Sequence, residues 1–233
     1  MRWWPLLALI AAPAAAAERS VAVVNFDRIR IDGPFEVRLT TDAEPNASLS
    51  GSADVLDKVE LRVEGTTLIV RAGNAGWGER PRAKAAGAPL IRVSTRSLRS
   101  AGVVGGGVLT IVGPVRGDRI DLTVTGAGSI AASGLAANEL VATLIGTGEI
   151  ALGGTARSAR LLSNGAGRIA ARDLTANDVT IRTDGATEVA VGARYTASAT
   201  STGLGAITVL GSPECKVKAA AGGPIACGRE VRR

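Results

Sequence analysis

The sequence contains no histidine, few aromatic residues and two cysteines. Histidine counts 0 among 233 residues, which removes the commonest general base and the commonest protein metal ligand. A Ser-His-Asp catalytic arrangement is therefore excluded. Aromatic residues make up only 3% of the chain, so the core has to be built from Val, Ile, Leu and Ala, whose small side chains suit thin layers.

A strong charge imbalance is also missing. The chain carries 27 basic and 21 acidic side chains, a formal net charge of +6. The basic residues are scattered, and no stretch combines dense Lys and Arg with stacking aromatics, as nucleic-acid-binding segments do. We expect no nucleic-acid partner, although a mild attraction to anionic surfaces is retained.

The apolar run at the N terminus has the pattern of a secretory signal peptide. Arg2 precedes an apolar stretch over residues 3–12, and a run of small residues leads to Ala17. The stretch is too short and too rich in Ala and Pro for a membrane span. We predict a signal peptide over residues 1–17, a single mature domain over 18–233, and no stable membrane insertion after cleavage. The protein is then exported to the periplasm or the cell surface of a bacterium.

A short phrase of the form Gly-X-Gly-X-Ile recurs through the second half of the chain, as GAGSI, GTGEI and GAGRI. The first glycine of each copy is Gly105, Gly126, Gly146, Gly165, Gly185 or Gly203. The copies are 18 to 21 residues apart, and a constant period near this length is typical of stacked repeat architectures. A degenerate copy, AGGPI, places Ala221 at the glycine position.

Apolar residues occupy fixed positions on both sides of this glycine. The position four residues after it is aliphatic in every copy: Leu109, Ile130, Ile150, Ile169, Val189, Ile207 and Ile225. The position four residues before it is apolar too: Leu122, Ala142, Leu161, Ile181, Ala199 and Val217. Since residues two apart in a strand share a face, each repeat is predicted to contain two short strands with inward-facing apolar side chains.

These patterns predict an all-β fold, a single-stranded parallel β-helix or β-solenoid with about 18–21 residues per coil. An apolar spacing of two, with recurrent Gly, argues against helices. An antiparallel sandwich of hairpins is the alternative, but hairpins need no constant period. In a parallel stack, Glu149, Arg168 and Glu188 would be outward neighbours and form a ladder of alternating charge.

The front half, about residues 25–104, is rich in strands but less regular than the coils predicted over about 105–228. Turn signals occur at residues 33–34 and 64–65. Residues 73–89 show no periodicity and are predicted to form a long exposed loop.

This loop contains the candidate ligand-contact residues Trp77, Arg80, Arg82 and Lys84. Their stacking and charge would suit an anionic glycan or lipid headgroup. A solvated loop without a ligand is the alternative interpretation.

The two cysteines lie at equal distances from the degenerate glycine position, Cys215 six residues before Ala221 and Cys227 six residues after it. Both offsets are even, so both sulfur atoms are predicted to point into the last coil. In an oxidising compartment they would form a disulfide that closes this coil. Two buried free thiols are the alternative; a redox pair is disfavoured because the spacing is not Cys-X-X-Cys.

Three segments resemble the head GIN domain family of auto-transporter adhesins: FDRIRIDGPFEVRLTT, VELRVEGTTLIVRA and CKVKAAAGGPIACG. The resemblance extends from about Asn25 to Gly228. It implies an exported bacterial protein with a β-helix-like fold and an adhesin-like role, and it brings no catalytic residues with it.

We therefore predict an exported, non-enzymatic β-helical protein that binds a glycan or an envelope protein, with no cofactor and no metal site. A periplasmic structural or assembly factor that binds another envelope protein is the alternative. A polysaccharide-active β-helix enzyme is less favoured, because it needs a concentration of paired carboxylates or Lys and Arg bases that the sequence does not show.

Overall fold

The computed structural model describes residues 17–73, 89–220 and 223–228. The described chain consists of 17 strands and one four-residue helix, α1 (Ala53–Leu56). The strands are β1 (Ala17–Val21), β2 (Arg28–Asp32), β3 (Glu36–Thr41), β4 (Asn46–Gly51), β5 (Val59–Glu64), β6 (Thr67–Ala72), β7 (Leu90–Thr95), β8 (Ser100–Gly105), β9 (Val108–Val112), β10 (Val115–Gly126), β11 (Ser129–Gly146), β12 (Glu149–Gly165), β13 (Arg168–Gly185), β14 (Glu188–Ser201), β15 (Ile207–Gly211), β16 (Glu214–Ala219) and β17 (Ile225–Cys227). None of its helical segments is long and apolar enough to span a membrane.

The strands form a β-solenoid whose coils have three faces. The first face contains β2, β6, β8, β16 and the C-terminal parts of β10–β14. The second contains β3, β7, β9, β15, β17 and the N-terminal parts of β11–β14. A short third face consists of residues 115–117, 135–137, 154–156, 174–176 and 192–193. The sequence analysis predicted two strands per coil and missed this third one.

Successive coils stack in parallel, with the predicted positions in register. Ile130 pairs with Ile150, and Ile150 pairs with Ile169. All three side chains are fully buried, and the same column continues to Ile225. Burying such side chains stabilises a fold by roughly 1.5–3 kcal/mol each, so this aliphatic column is a main source of solenoid stability. The predicted all-β parallel solenoid is confirmed.

The predicted charge ladder on the second face is half formed. The register places Arg168 between Glu149 and Glu188. Arg168 Nη2 lies 2.8 Å from Glu188 Oε2, whereas Glu149 makes no ion pair with any described residue. Because both paired side chains are exposed, the pair contributes at most about 1 kcal/mol.

In the front half, the order of the strands in the stack differs from their order in the sequence. The coil of β2 and β3 lies inside the stack, since β2 pairs with both β6 and β8, and β3 pairs with both β7 and β9. Antiparallel strands cover this end of the solenoid. β5 pairs with β6 on the first face, and β4 pairs with β7 and β1 on the second. The sequence predicted less regular strands here but neither the order nor the antiparallel cap.

The opposite end is open within the described chain. β16 pairs only with β14, and β17 only with β15. Every residue of β16 is exposed. This end therefore presents a free strand edge.

The glycine phrase forms the corner between the first and second faces. In the copies from Gly105 to Gly185 the first glycine adopts a positive φ, for example 108° at Gly126, a conformation that other residues rarely adopt. Its second glycine is pressed against the preceding coil. A Cβ atom at Gly167 would lie 2.8 Å from Leu144 Cδ2, so no side chain fits there.

Thr187 occupies this second glycine position in one coil, and a smaller neighbour makes room for it. The inward column that holds Val124 and Leu144 continues with Ser163. The Ser163 hydroxyl donates a hydrogen bond to Thr187 Oγ1 over 2.6 Å, and the Thr187 hydroxyl donates to the Gly165 carbonyl over 3.1 Å. Because Ser163 is smaller than the leucine at the equivalent position 144, it leaves space for the Thr187 side chain.

We expect Ser163→Leu to destabilise the protein by about 2 kcal/mol, because the longer side chain overpacks the corner against Thr187. In a Thr187→Gly background the same substitution should be much milder, since leucine beside glycine is the arrangement at Leu144 and Gly167. Urea unfolding of the four proteins in this double-mutant cycle should give a coupling energy of about 1 kcal/mol or more. Simple additivity would show that the two positions do not compensate.

Candidate functional site

The disulfide is present, and it joins the two strands of the last coil at the open end of the solenoid. Cys215 in β16 is bonded to Cys227 in β17, with their Cα atoms 6.2 Å apart. The register places Cys215 beside buried Ala197 and Cys227 beside buried Val209, so both cysteines occupy inward columns, as predicted. The bond joins the first and second faces of the last coil.

The predicted ligand-contact loop lies outside the described residues. Trp77, Arg80, Arg82 and Lys84 all fall within residues 74–88, and their arrangement stays a prediction. A ligand surface therefore has to be sought on the described coils.

An open groove of about 700 Å³ runs along the third face. We call it the basic groove, because it is lined by Arg116, Arg157 and Arg194. Its floor consists of small side chains: Gly117, Ala136, Ala137, Thr155, Ala156 and Thr175. The short strands of this face alternate inward aliphatic residues with small outward ones, so the long arginine side chains stand above a low floor.

The three arginines lie on alternate coils. Arg116 is in register with Ala136 and then Thr155, so Arg157 lies two coils further along. The residue before Arg157, Ala156, pairs with Ala176, and Ala176 pairs with Ala193. Arg194 follows Ala193 and therefore lies two coils beyond Arg157. At about 4.8 Å per coil, neighbouring arginines are about 10 Å apart along the axis.

The groove arginines make no ion pairs with the described part of the chain. Within the described ranges, Arg116, Arg157 and Arg194 have no carboxylate within ion-pair distance. The nearby first face is different, since Arg119 bonds to Asp121 and to Glu139, with a shortest contact of 2.9 Å. The hydrogen bond to Asp121, followed by the charges of Asp121 and Glu139, raises the pKa of Arg119.

Polar side chains at the rim add hydrogen-bonding capacity to the groove. Asn138 and Asn177 line it together with one carboxylate, Asp118. Asn138 Nδ2 donates to Asp118 Oδ1 over 2.7 Å. Tyr195 follows Arg194 at the C-terminal end; its ring is 58% exposed, and the Arg194 guanidinium lies 6.0 Å from the ring centroid.

The described side chains do not assemble a metal centre. Nowhere in the described ranges do three His, Cys, Asp or Glu residues gather closely enough to hold a metal ion. The neighbouring carboxylates of Asp121 and Glu139 are both bound by Arg119. Their arrangement is that of an exposed charge network on neighbouring coils.

The sequence analysis did not find the basic groove. The arginines stand at different distances before the next corner glycine, namely 10 residues for Arg116, 8 for Arg157 and 9 for Arg194. They therefore form no column when the repeats are aligned on that glycine. Only the register of the third face brings them onto one surface, with Arg157 and Arg194 in one outward column and Arg116 in the neighbouring column, two residues to the side.

A family model described as "Putative auto-transporter adhesin, head GIN domain" matches residues 25–213. None of the curated proteins compared with this sequence matches it.

Several solved structures have the same fold. A "putative adhesin" from Bacteroides fragilis is 22% identical, with a TM-score of 0.82 over 92% of this chain and 97% of that chain. A "putative lipid binding protein" from Parabacteroides distasonis is 21% identical, with a TM-score of 0.73 and the same two coverages. A "putative adhesin" from the same organism has the same TM-score and coverages at 15% identity. At these identities the likeness shows the fold alone.

Proposed function

Because the chain belongs to the head GIN domain family of auto-transporter adhesins, we propose that it is an exported, non-enzymatic binding protein. The basic groove is its ligand surface, and the ligand is a glycan. The observation that carries this proposal is the set of three exposed arginines that share one groove and have no carboxylate partner among the described residues. Other exposed arginines, such as Arg119, Arg160 and Arg168, are paired. Arg182, which is unpaired within the described chain, lies by itself on the first face.

The architecture supports a binding role rather than a chemical one. Parallel ladders hold the groove floor on both sides, so the arginines project from a rigid backbone. A preorganised surface loses less entropy on binding than a flexible one. The groove contains guanidinium, amide and hydroxyl groups and a single carboxylate, already bonded to Asn138. That set suits recognition of a polar polymer, whereas glycoside hydrolysis uses two carboxyl groups at a defined separation.

Export and glycan binding are tested together on the protein produced from the full sequence. We expect it to be recovered outside the cytoplasm after cleavage near Ala17, checked by fractionation and N-terminal sequencing. The recovered protein should bind acidic members of an array of neutral and acidic glycans and release no products from them. Cytoplasmic retention would contradict export, and conversion of the glycans would contradict the non-enzymatic role.

A second candidate function is assembly with another envelope protein through the open end. The observation that favours it is the free edge of β16, which can accept a further strand from a partner by β-augmentation. Ala220 N–H donates to the Ser201 carbonyl. Main-chain groups alternate in direction along a strand, so the Val217 N–H faces the open edge.

The Val217→Pro variant distinguishes the glycan-binding role from the assembly role. It removes the N–H group at the free edge and keeps the backbone hydrogen bonds between β16 and β14. Loss of an envelope partner in a pull-down, with glycan binding kept, would favour the assembly role. We expect the opposite result. Arg157→Ala should lose glycan binding, and Val217→Pro should change neither glycan binding nor the proteins recovered in the pull-down.

A further inference from the structure

Resting on the proposed function, we infer that the basic groove binds a linear acidic polysaccharide with one negative charge per disaccharide. The groove takes this polymer in an extended form, parallel to the solenoid axis. One arginine contacts the acidic group of each successive repeat, and the sugars between them lie on the small residues of the floor. The groove then distinguishes polysaccharides by the spacing of their negative charges.

The spacing of the arginines is the main support. Along the solenoid axis, the coil repeat separates Arg116 from Arg157 and Arg157 from Arg194 by two coils each, about 10 Å. Arg116 is in addition displaced sideways by two residues, about 7 Å, because it is in register with Thr155. That length is comparable to one disaccharide of an extended polysaccharide. The row spans four coil steps, roughly 19 Å, which accommodates about two disaccharides with an acidic group at each end and one between them. A carboxylate can meet each guanidinium in a bidentate geometry.

The composition of the floor supports a sugar chain between the charges. Thr155 and Thr175 are exposed and offer hydroxyl groups. Asn138 and Asn177 add amide donors and acceptors at the rim. A hydroxyl-rich polymer can satisfy such groups along its whole length, and the alanines between them leave room for pyranose rings.

A nucleic acid fits this surface less well. It carries a phosphate on every nucleotide rather than on alternate units. Binding of single strands also uses aromatic side chains on which successive bases stack. Tyr195 is the one exposed aromatic ring beside the groove in the described chain, so it offers no series of stacking platforms.

A charge-shift variant tests the spacing directly. Arg157 and Asn177 occupy the same outward column on neighbouring coils, because the residues before them, Ala156 and Ala176, are paired. The exchange Arg157→Asn/Asn177→Arg keeps composition and net charge but moves the central arginine by one coil, about 5 Å. The single variant Arg157→Asn shows the cost of losing that arginine. Arg182→Ala is the matched control, since Arg182 is exposed on the first face and has no carboxylate partner in the described chain.

The probes are hyaluronan, with one carboxylate per disaccharide, polygalacturonate, with one per sugar, and neutral dextran. Biolayer interferometry on the full exported chain should show binding to hyaluronan and none to dextran. We expect Arg157→Asn to weaken hyaluronan binding about tenfold. The exchange should weaken it as much, and Arg182→Ala should not change it. Polygalacturonate, which offers a charge at every sugar, should bind the exchange variant as well as the original protein.

Four results would overturn the inference. Equal hyaluronan affinities of the exchange variant and the original protein, with unchanged melting temperatures, would show that net charge alone matters. Tighter binding to a single-stranded DNA oligonucleotide than to hyaluronan would show a different polymer class. Binding to acidic glycans of other charge spacings but not to hyaluronan would remove this inference and leave the proposed function standing, whereas a complete lack of binding to acidic glycans would remove both.

Discussion

Gly148→Ala is expected to lose about 3 kcal/mol of unfolding free energy, because the added methyl group overpacks a corner that cannot move. A Cβ atom at this position would lie 2.8 Å from Val124 Cγ1 and closer still to the carbonyl oxygen of Gly128. The preceding coil cannot retreat, since its strands are hydrogen-bonded to neighbours on both sides. Relief of the clash therefore requires local separation of two coils.

The matched control for this substitution is Gly106→Ala in an earlier corner. A Cβ atom at Gly106 would meet nothing within 4 Å. Alanine there should be neutral, or stabilise the fold by about 0.5 kcal/mol through the unfolded chain. Urea unfolding monitored by circular dichroism compares the two variants. Equal stabilities of Gly148→Ala and Gly106→Ala would show that close approach at the corner does not limit the side chain.

Removal of the disulfide is expected to release the last coil. In the chain-entropy account, a bond between cysteines 12 residues apart stabilises the closed loop by about 3 kcal/mol. In the Cys215→Ser/Cys227→Ser variant, β16 and β17 keep contacts with the coil of β14 and β15 alone. Each coil of a solenoid is stabilised mainly by its immediate neighbours. The variant should therefore lose stability mainly in the last coil.

Hydrogen exchange of individual backbone amides shows which strands lose stability. Amides of β16 should exchange much faster in the double serine variant, while those of β12 should keep their protection. Reduction of the original protein should reproduce the pattern, and the reductant should have no effect on the variant. Full protection of β16 after removal of both cysteines would mean that strand pairing alone holds the last coil.

The regular coils were predictable because their sequence signal is redundant. The position of Ile150 is repeated in each coil as an aliphatic residue, and its neighbours in the sequence alignment are its neighbours in space. The corner glycines are repeated for a steric reason that acts in nearly every coil. Thr187 departs from that rule, and only the contact with Ser163 explains why it can.

The third face and the cap were not predictable in the same way. Register irregularities occur between Ala132 and Leu135 and between Ala171 and Thr175. Residues on the two sides of such a bend lose their constant spacing from the corner glycine. The placement of β2 between β6 and β8 depends on pairings between distant segments, which no local pattern in residues 25–104 encodes. The basic groove was missed for the first of these reasons, whereas the disulfide was predictable because its cysteines lie at equal, even distances from the glycine position of the last copy of the repeat.

The two ends of the solenoid differ in a way that bears on how such molecules change in length. The antiparallel strands β1, β4 and β5 terminate one end with a structure unlike any coil, while the coils from β10 to β14 all pair in parallel with their neighbours. Duplication or deletion of one coil of about twenty residues in this region would lengthen or shorten the molecule by about 4.8 Å without altering either end. A single genetic event can therefore change the number of coils, and with it the length of the molecule.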